Sequence, residues 1–241
     1  MTDAPITENT PVDATPTDET TVTLDRKKSD LGVRTVSGLV MIALAVTALW
    51  FGGWVFAGFV LVASAAMLWE WHGITMKMPL GASGQGVWLG AGLIYIGLAA
   101  VSLILVRDTL AFKGALWLMA TVWATDIGAY FAGRTIGGPK IAPAISPSKT
   151  WAGLIGGMIA AGIVGYAIGN WADWGGAILW MGPLMAVLAQ AGDFFESWMK
   201  RRAGVKDSSA LIPGHGGVLD RLDGLMPVAI LIGGLLWYGV I

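Results

Sequence analysis

Residues 35–69 carry no charge at all, a run longer than the roughly 20 apolar residues that one bilayer crossing needs. Gly52 and Gly53, between Trp50 and Trp54, divide it, so the pattern predicts a helical hairpin of two spans, 35–50 and 54–69, with tryptophans at the membrane interface. Further apolar runs predict spans over 86–106, 114–133, 151–172, 174–192 and 224–241. The runs are continuous rather than alternating, which argues against a barrel. The expected fold is all-α, a polytopic bundle of about seven transmembrane helices, with residues 35–241 forming one membrane-embedded domain. Ahead of it, residues 1–34 read as a cytoplasmic tail. Its first 30 positions are rich in Thr, Pro, Asp and Glu and poor in large apolar residues, a composition expected to be disordered. No short apolar core follows a basic start, so the pattern is not that of a cleavable signal peptide.

Composition agrees with the hydrophobic pattern: 55% of the 241 residues are hydrophobic and 13% charged, with a mean hydropathy of +0.67. The chain has no cysteine, which removes disulfides and thiolate metal sites from consideration. Net charge of −1 says little, whereas the distribution of charge says more. With a cytoplasmic N-terminus and seven spans, thirteen of the fifteen Lys and Arg residues fall on the cytoplasmic side, and only Arg107 and Lys113 fall on the other. That bias supports the orientation and puts the polar loops 134–150 and 193–223 where soluble nucleotides are found.

Those loops carry the candidate chemistry. Residues 192–224 hold five acids, five bases and a histidine. Asp193, Asp207, Asp220 and Asp223 are hard oxygen donors of the kind Mg2+ prefers, and Lys200, Arg201, Arg202, Lys206 and Arg221 supply positive charge for a polyphosphate. Between them Gly214, His215, Gly216 and Gly217 form a turn whose backbone N–H groups can approach an anion closely. In the fourth span Asp126 and Tyr130 share a helix face, and an ionisable group inside a span is a functional candidate. Arg134 follows, then Ser146, Ser148, Lys149 and Thr150 immediately before the fifth span, where hydroxyls, a lysine and free helix N–H groups could converge on one anion. Plainer readings suit other features. Gly153 with Gly157 and Gly165 with Gly169 are spaced as small-residue helix contacts, and Gly84-x-Gly86 lacks the strand a dinucleotide site requires.

Ser197-x-x-Lys200-Arg201, Lys206-Asp207 and Pro213-Gly214-His215-Gly216-Gly217-x-x-Asp220-Arg221-x-Asp223 together resemble the signature of the phosphatidate cytidylyltransferase (CDP-diacylglycerol synthase) family. Asp126-x-x-x-Tyr130, Gly133-Arg134 and Ile145-Ser146-Pro147-Ser148-Lys149-Thr150 are similar to that family too, so the likeness spans about 123–224. Ala152 departs from it, since the family usually has Glu there. The resemblance implies transfer of a cytidylyl group from CTP to phosphatidate, giving CDP-diacylglycerol and pyrophosphate, by a multi-pass enzyme of the plasma membrane.

Physical chemistry then divides the labour. A phosphate monoester with a second pKa of about 6 is already largely dianionic at neutral pH, so no general base is required. The difficulty is bringing that dianion against a triphosphate, which calls for cations. Asp193, Asp220 and Asp223 are accordingly expected to hold Mg2+. Lys149, Lys200, Arg201, Lys206 and Arg221 are expected to clamp phosphates, and Ser146, Ser148 and Thr150 to donate hydrogen bonds. Asp126, Tyr130, Arg134, Asp207 and the 214–217 turn complete the candidate substrate site. Membrane lipids are the expected surroundings, no nucleic-acid partner is expected, and a homodimer is left open. Two alternatives stand beside this reading: a CTP-dependent lipid or prenol kinase, and a transporter lined by Asp126 and Asp193.

Overall fold

A computed structural model describes residues 18–241, with side chains from residue 32 onward. Helix α1 runs Asp18–Phe51. It therefore begins inside the stretch expected to be unstructured, because extending an existing helix requires no new nucleus; the remainder of that tail, residues 1–17, lies outside the described residues. The predicted break falls at Gly52 and Gly53, both in the left-handed region (φ 63° and 49°), where a residue without Cβ turns the chain at little cost. Arg107 seals the turn by donating from Nε to the carbonyl of Leu49 (2.9 Å), satisfying one of the unpaired carbonyls at the end of α1.

The next helices are α2 (Gly53–Lys77), α3 (Ala82–Thr109) and α4 (Ala111–Thr135). All three overrun the predicted spans, since polar residues at helix ends can reach interfacial water. The loop after α4 corrects the all-α expectation. Strands β1 (Lys140–Ala142) and β2 (Ser146–Thr150) pair antiparallel, with Lys140 opposite Thr150 and Ala142 opposite Ser146. This small hairpin hands the chain directly to α5 (Trp151–Trp171).

Helix α5 is built to meet α4 closely. Gly153, Gly157, Ala161, Gly165 and Gly169 recur every four residues along its buried face, while Ile155, Ile159 and Ile163 are exposed on the other. A Cβ at Gly157 would lie 3.0 Å from the Thr125 carbonyl, and one at Gly153 would lie 3.0 Å from that of Ala129. The small-residue contacts expected from the sequence are thus present, and they let α4 and α5 run side by side.

The sixth and seventh spans differ from expectation. Residues 174–192 are not one helix: a 3-10 turn, Gly176–Trp180, precedes α6 (Gly182–Arg202), which has Pro183 in its first turn and continues well past residue 192. Pro suits a first turn because its missing N–H would have had no partner there. After a four-residue helix α7 (Leu219–Leu222), α8 (Leu225–Trp237) closes the fold. Five helices, Gly32–Phe51 within α1 and then α2, α3, α4 and α5, are long and apolar enough to cross a membrane. Helix α6 falls short of that because its C-terminal half holds Asp193, Glu196, Lys200, Arg201 and Arg202. Helix α8, with 13 residues, is about 20 Å long.

Three apolar clusters hold the bundle together. Trp117, Leu118, Met185, Val228 and Ile232 join α4, α6 and α8; Met67, Trp71, Ile96, Met199 and Leu219 join α2, α3, α6 and α7; Leu49, Phe56, Val60 and Ala115 join α1, α2 and α4. The second cluster lies beneath the charged end of α6 and fixes its position.

Candidate active site

A cleft of about 350 Å3 opens where α4, β2, α5 and α6 meet. Asp126, Tyr130 and Arg134 line it from successive turns of α4; Ser148, Lys149 and Thr150 from β2; Gln190 and Asp193 from α6. Arg134 Nη1 donates to the Tyr130 hydroxyl (3.1 Å), which steadies the guanidinium at the rim. Lys149 forms an ion pair with Asp193, and its ammonium lies over the Phe194 ring, 4.6 Å from the centroid. Ser197 Oγ donates to Asp193 Oδ1 at 3.2 Å. Thr150 has a structural duty as well: its buried hydroxyl accepts the N–H of Gly153 (3.0 Å) and caps α5. The first polar loop singled out in the sequence therefore lines the cleft through Arg134, Ser148, Lys149 and Thr150, and the second reaches it through Asp193.

Behind Asp193 a second charged layer is largely closed to solvent. Lys200 is buried and pairs with both Glu196 (2.8 Å) and Asp220 (2.5 Å). Asp220 Oδ2 in turn accepts from the N–H of Ser208, the hydroxyl of Ser208 and the N–H of Gly217, at 2.9, 2.9 and 2.8 Å. Lys200 and Asp220 are therefore committed to organising the loop. The expected triad of Asp193, Asp220 and Asp223 is not assembled, and among the described residues no three Asp, Glu or His side chains converge closely enough to hold a metal ion.

The 213–217 turn departs from expectation in a similar way. The N–H groups of His215 and Gly216 both donate to the Ile212 carbonyl (2.9 and 3.2 Å), and that of Gly217 is taken by Asp220. These amides are consumed in holding the turn rather than offered to an anion. Ser37 of α1 lies 2.9 Å from His215 Nδ1 and donates to the Pro213 carbonyl, so the turn is latched to the first helix. Gly214 sits in the left-handed region (φ 75°). The turn does aim one cation: Arg221 Nε and Nη2 both donate to the His215 carbonyl (3.1 and 2.7 Å).

Electrostatics single out Asp223. Burial and then the charge of Asp193 push its carboxyl up to about 7, while its Oδ1 accepts the N–H of Gly224 at 2.7 Å. Burial works against ionised Asp220 too, but the hydrogen bonds from Lys200 and Gly217 outweigh it and hold that carboxyl at about 2. Asp193 is thus near enough to Asp223 for its charge to disfavour ionisation there. Mg2+ commonly takes only one or two carboxylates and completes its shell with water and substrate phosphates. Asp193 and Asp223, which interact electrostatically, are the carboxylates that could hold such an ion, whereas Asp220 is taken up by Lys200, Ser208 and Gly217.

Of the other expected residues, Arg201, Lys206 and Asp207 are exposed and do not line the cleft, and Ser146 is half-buried on β2 without lining it either. Two contributors were not anticipated. Gln190 lines the cleft one turn before Asp193, and Glu196 holds Lys200. Glu196 stands four residues before Lys200, a spacing that marks a helical ion pair and could have revealed it; nothing local distinguishes Gln190.

Comparison with known proteins places this arrangement in context. The family model described as "Cytidylyltransferase family" matches residues 81–238. The chain is 37% identical to a phosphatidate cytidylyltransferase of Brucella suis biovar 1, over 85% of this chain and 92% of that relative. It is 36% identical to a phosphatidate cytidylyltransferase of Rickettsia bellii, over 88% and 94% respectively, and 31% identical to one of Rickettsia conorii, over 86% and 92%.

Proposed function

Because this chain belongs to the cytidylyltransferase family, we propose that it transfers the cytidylyl group of CTP to phosphatidate, producing CDP-diacylglycerol and pyrophosphate. The observation that carries this reading is the cleft itself. It gathers Arg134 and Lys149 beside Asp193 at the end of the membrane helices, the place where a lipid head group and a soluble nucleotide can meet.

In this reaction a phosphatidate oxygen forms the new bond to the α-phosphorus of CTP, and the bond from that phosphorus to the β-phosphate oxygen breaks, releasing pyrophosphate. The attacking dianion needs no base. Lys149, Arg134 and Arg221 neutralise the crowded phosphates and the charge that builds on the leaving group. The Lys149–Asp193 pair opens when phosphate arrives, exchanging one anionic partner for another. Ser148 offers its hydroxyl at the cleft wall, while Lys200, Glu196 and Asp220 keep the loop rigid rather than touching substrate. Asp193 and Asp223 would hold Mg2+, which when bound offsets phosphate charge.

The protein is a multi-pass membrane protein by the length and apolarity of its helices. We place the cleft on the cytoplasmic face of the bacterial inner membrane, with α6 and α8 as shorter sixth and seventh crossings. The positive-inside bias supports this orientation. The test is purified protein with phosphatidate and CTP labelled at the α-phosphate. Label is expected in lipid, with pyrophosphate released and no product when a chelator removes divalent ions. Release of CDP without labelled lipid would indicate a kinase instead.

A further inference from the structure

Glu70 lies on α2, outside the segment matched by the family model. It is 1% exposed, and its carboxylate reaches the loop before α7 rather than its own helix. Oε1 accepts from the Ser209 hydroxyl (2.6 Å) and the Val218 N–H (2.9 Å), and Oε2 accepts from the Leu219 N–H (2.6 Å). Among the described residues no lysine or arginine forms an ion pair with it. A carboxylate buried this deeply persists only where several donors serve it, and its removal would leave two backbone amides without partners.

The loop is gripped from both sides. Asp220 takes Ser208 and Gly217, and Glu70 takes their neighbours Ser209 and Val218. Gly217 passes between the two carboxylates, where a Cβ would collide with both Ser208 Oγ and Glu70 Oε1. Leu219 begins α7, which carries Arg221 and delivers the chain to Asp223. The direction of that turn is therefore set by an acid on a distant membrane helix.

We propose that Glu70 is a positioning residue for cytidylyl transfer: by fixing the amides of Val218 and Leu219 it aims Arg221 at the nucleotide phosphates and holds Asp223 beside Asp193. The proposal rests on the functional reading above.

The experiment measures initial rates in mixed micelles of phosphatidate with labelled CTP, for the wild-type chain, Glu70→Gln, Glu70→Asp and Ser209→Ala. Glu70→Gln keeps the size but turns an NH2 group toward a backbone N–H, so kcat is expected to fall about tenfold and KM for CTP to rise about fivefold. A merely structural role lowers the active fraction and with it kcat, but leaves KM for CTP unmoved. Glu70→Asp keeps the charge one methylene short and is expected to recover part of both parameters. An unchanged KM for CTP in folded Glu70→Gln overturns the proposal. Should Glu70→Gln not fold, Ser209→Ala decides: a rise of about twofold in KM for CTP supports the proposal, and wild-type kinetics overturn it. Absence of labelled lipid from the wild-type chain overturns the functional reading and this proposal with it, whereas an active wild type beside an unchanged Glu70→Gln overturns the proposal alone.

Discussion

Lys149 is the cation most directly placed for catalysis, paired with Asp193 inside the cleft. Lys149→Ala is expected to lower kcat by about 10²–10³, the usual cost of losing one group that stabilises developing charge; labelled-lipid assays on folded protein check it. Asp223 and Asp220 predict opposite pH behaviour. Asp220 titrates near 2 in the folded protein, below its ordinary 3.8, so its stabilisation is present above pH about 4 and is lost as pH falls through about 2. The deficit of Asp220→Asn, read as Tm in detergent, should therefore shrink across that window. Asp223 titrates near 7, so the protonated form is favoured by folding and the benefit disappears as pH rises through 7. Asp223→Asn should consequently raise Tm by about 4 °C at pH 8 without divalent ions, with no gain below pH about 4, while abolishing transfer. The same comparison shows what was legible residue by residue. Lys149, Asp193 and Asp223 could be read from the sequence because each lies at the end of an apolar run. The structural roles of Lys200 and Asp220 could not, since Asp220 meets Lys200 and Ser208 only when the loop folds back.

At the scale of elements, the cleft exists because α4 and α5 approach through small residues and the β-hairpin delivers Lys149 to their junction. Gly157→Leu should force these helices apart, because even a Cβ there lies 3.0 Å from the Thr125 carbonyl and 3.2 Å from its methyl group. The expected cost is about 1–3 kcal/mol of stability together with weakened CTP binding, measured by thermal unfolding and KM. Ile159→Ala, on the exposed face of the same helix, serves as the control that changes neither. The helical spacing of these glycines was visible in the sequence. The hairpin was not: its strands are three and five residues long, Pro147 interrupts the second, and a pairing this short leaves no periodic pattern.

For the molecule as a whole, the absence of cysteine makes orientation directly testable. Ala210→Cys, in the loop before α7, should react with a membrane-impermeant maleimide only in inside-out vesicles, and Asp173→Cys only in right-side-out ones. Labelling of both from one side would overturn the topology and the cytoplasmic site with it. Membrane character, the approximate boundaries of the long helices and the two polar clusters followed from local composition, because hydrophobic runs and charge asymmetry act through solvent and need no distant partner. Tertiary structure alone decided which charged groups face the cleft and which are spent on the fold. That choice depends on contacts between residues as far apart as Glu70 and Leu219, and a buried carboxylate takes its role from whichever donors the packed helices bring within reach.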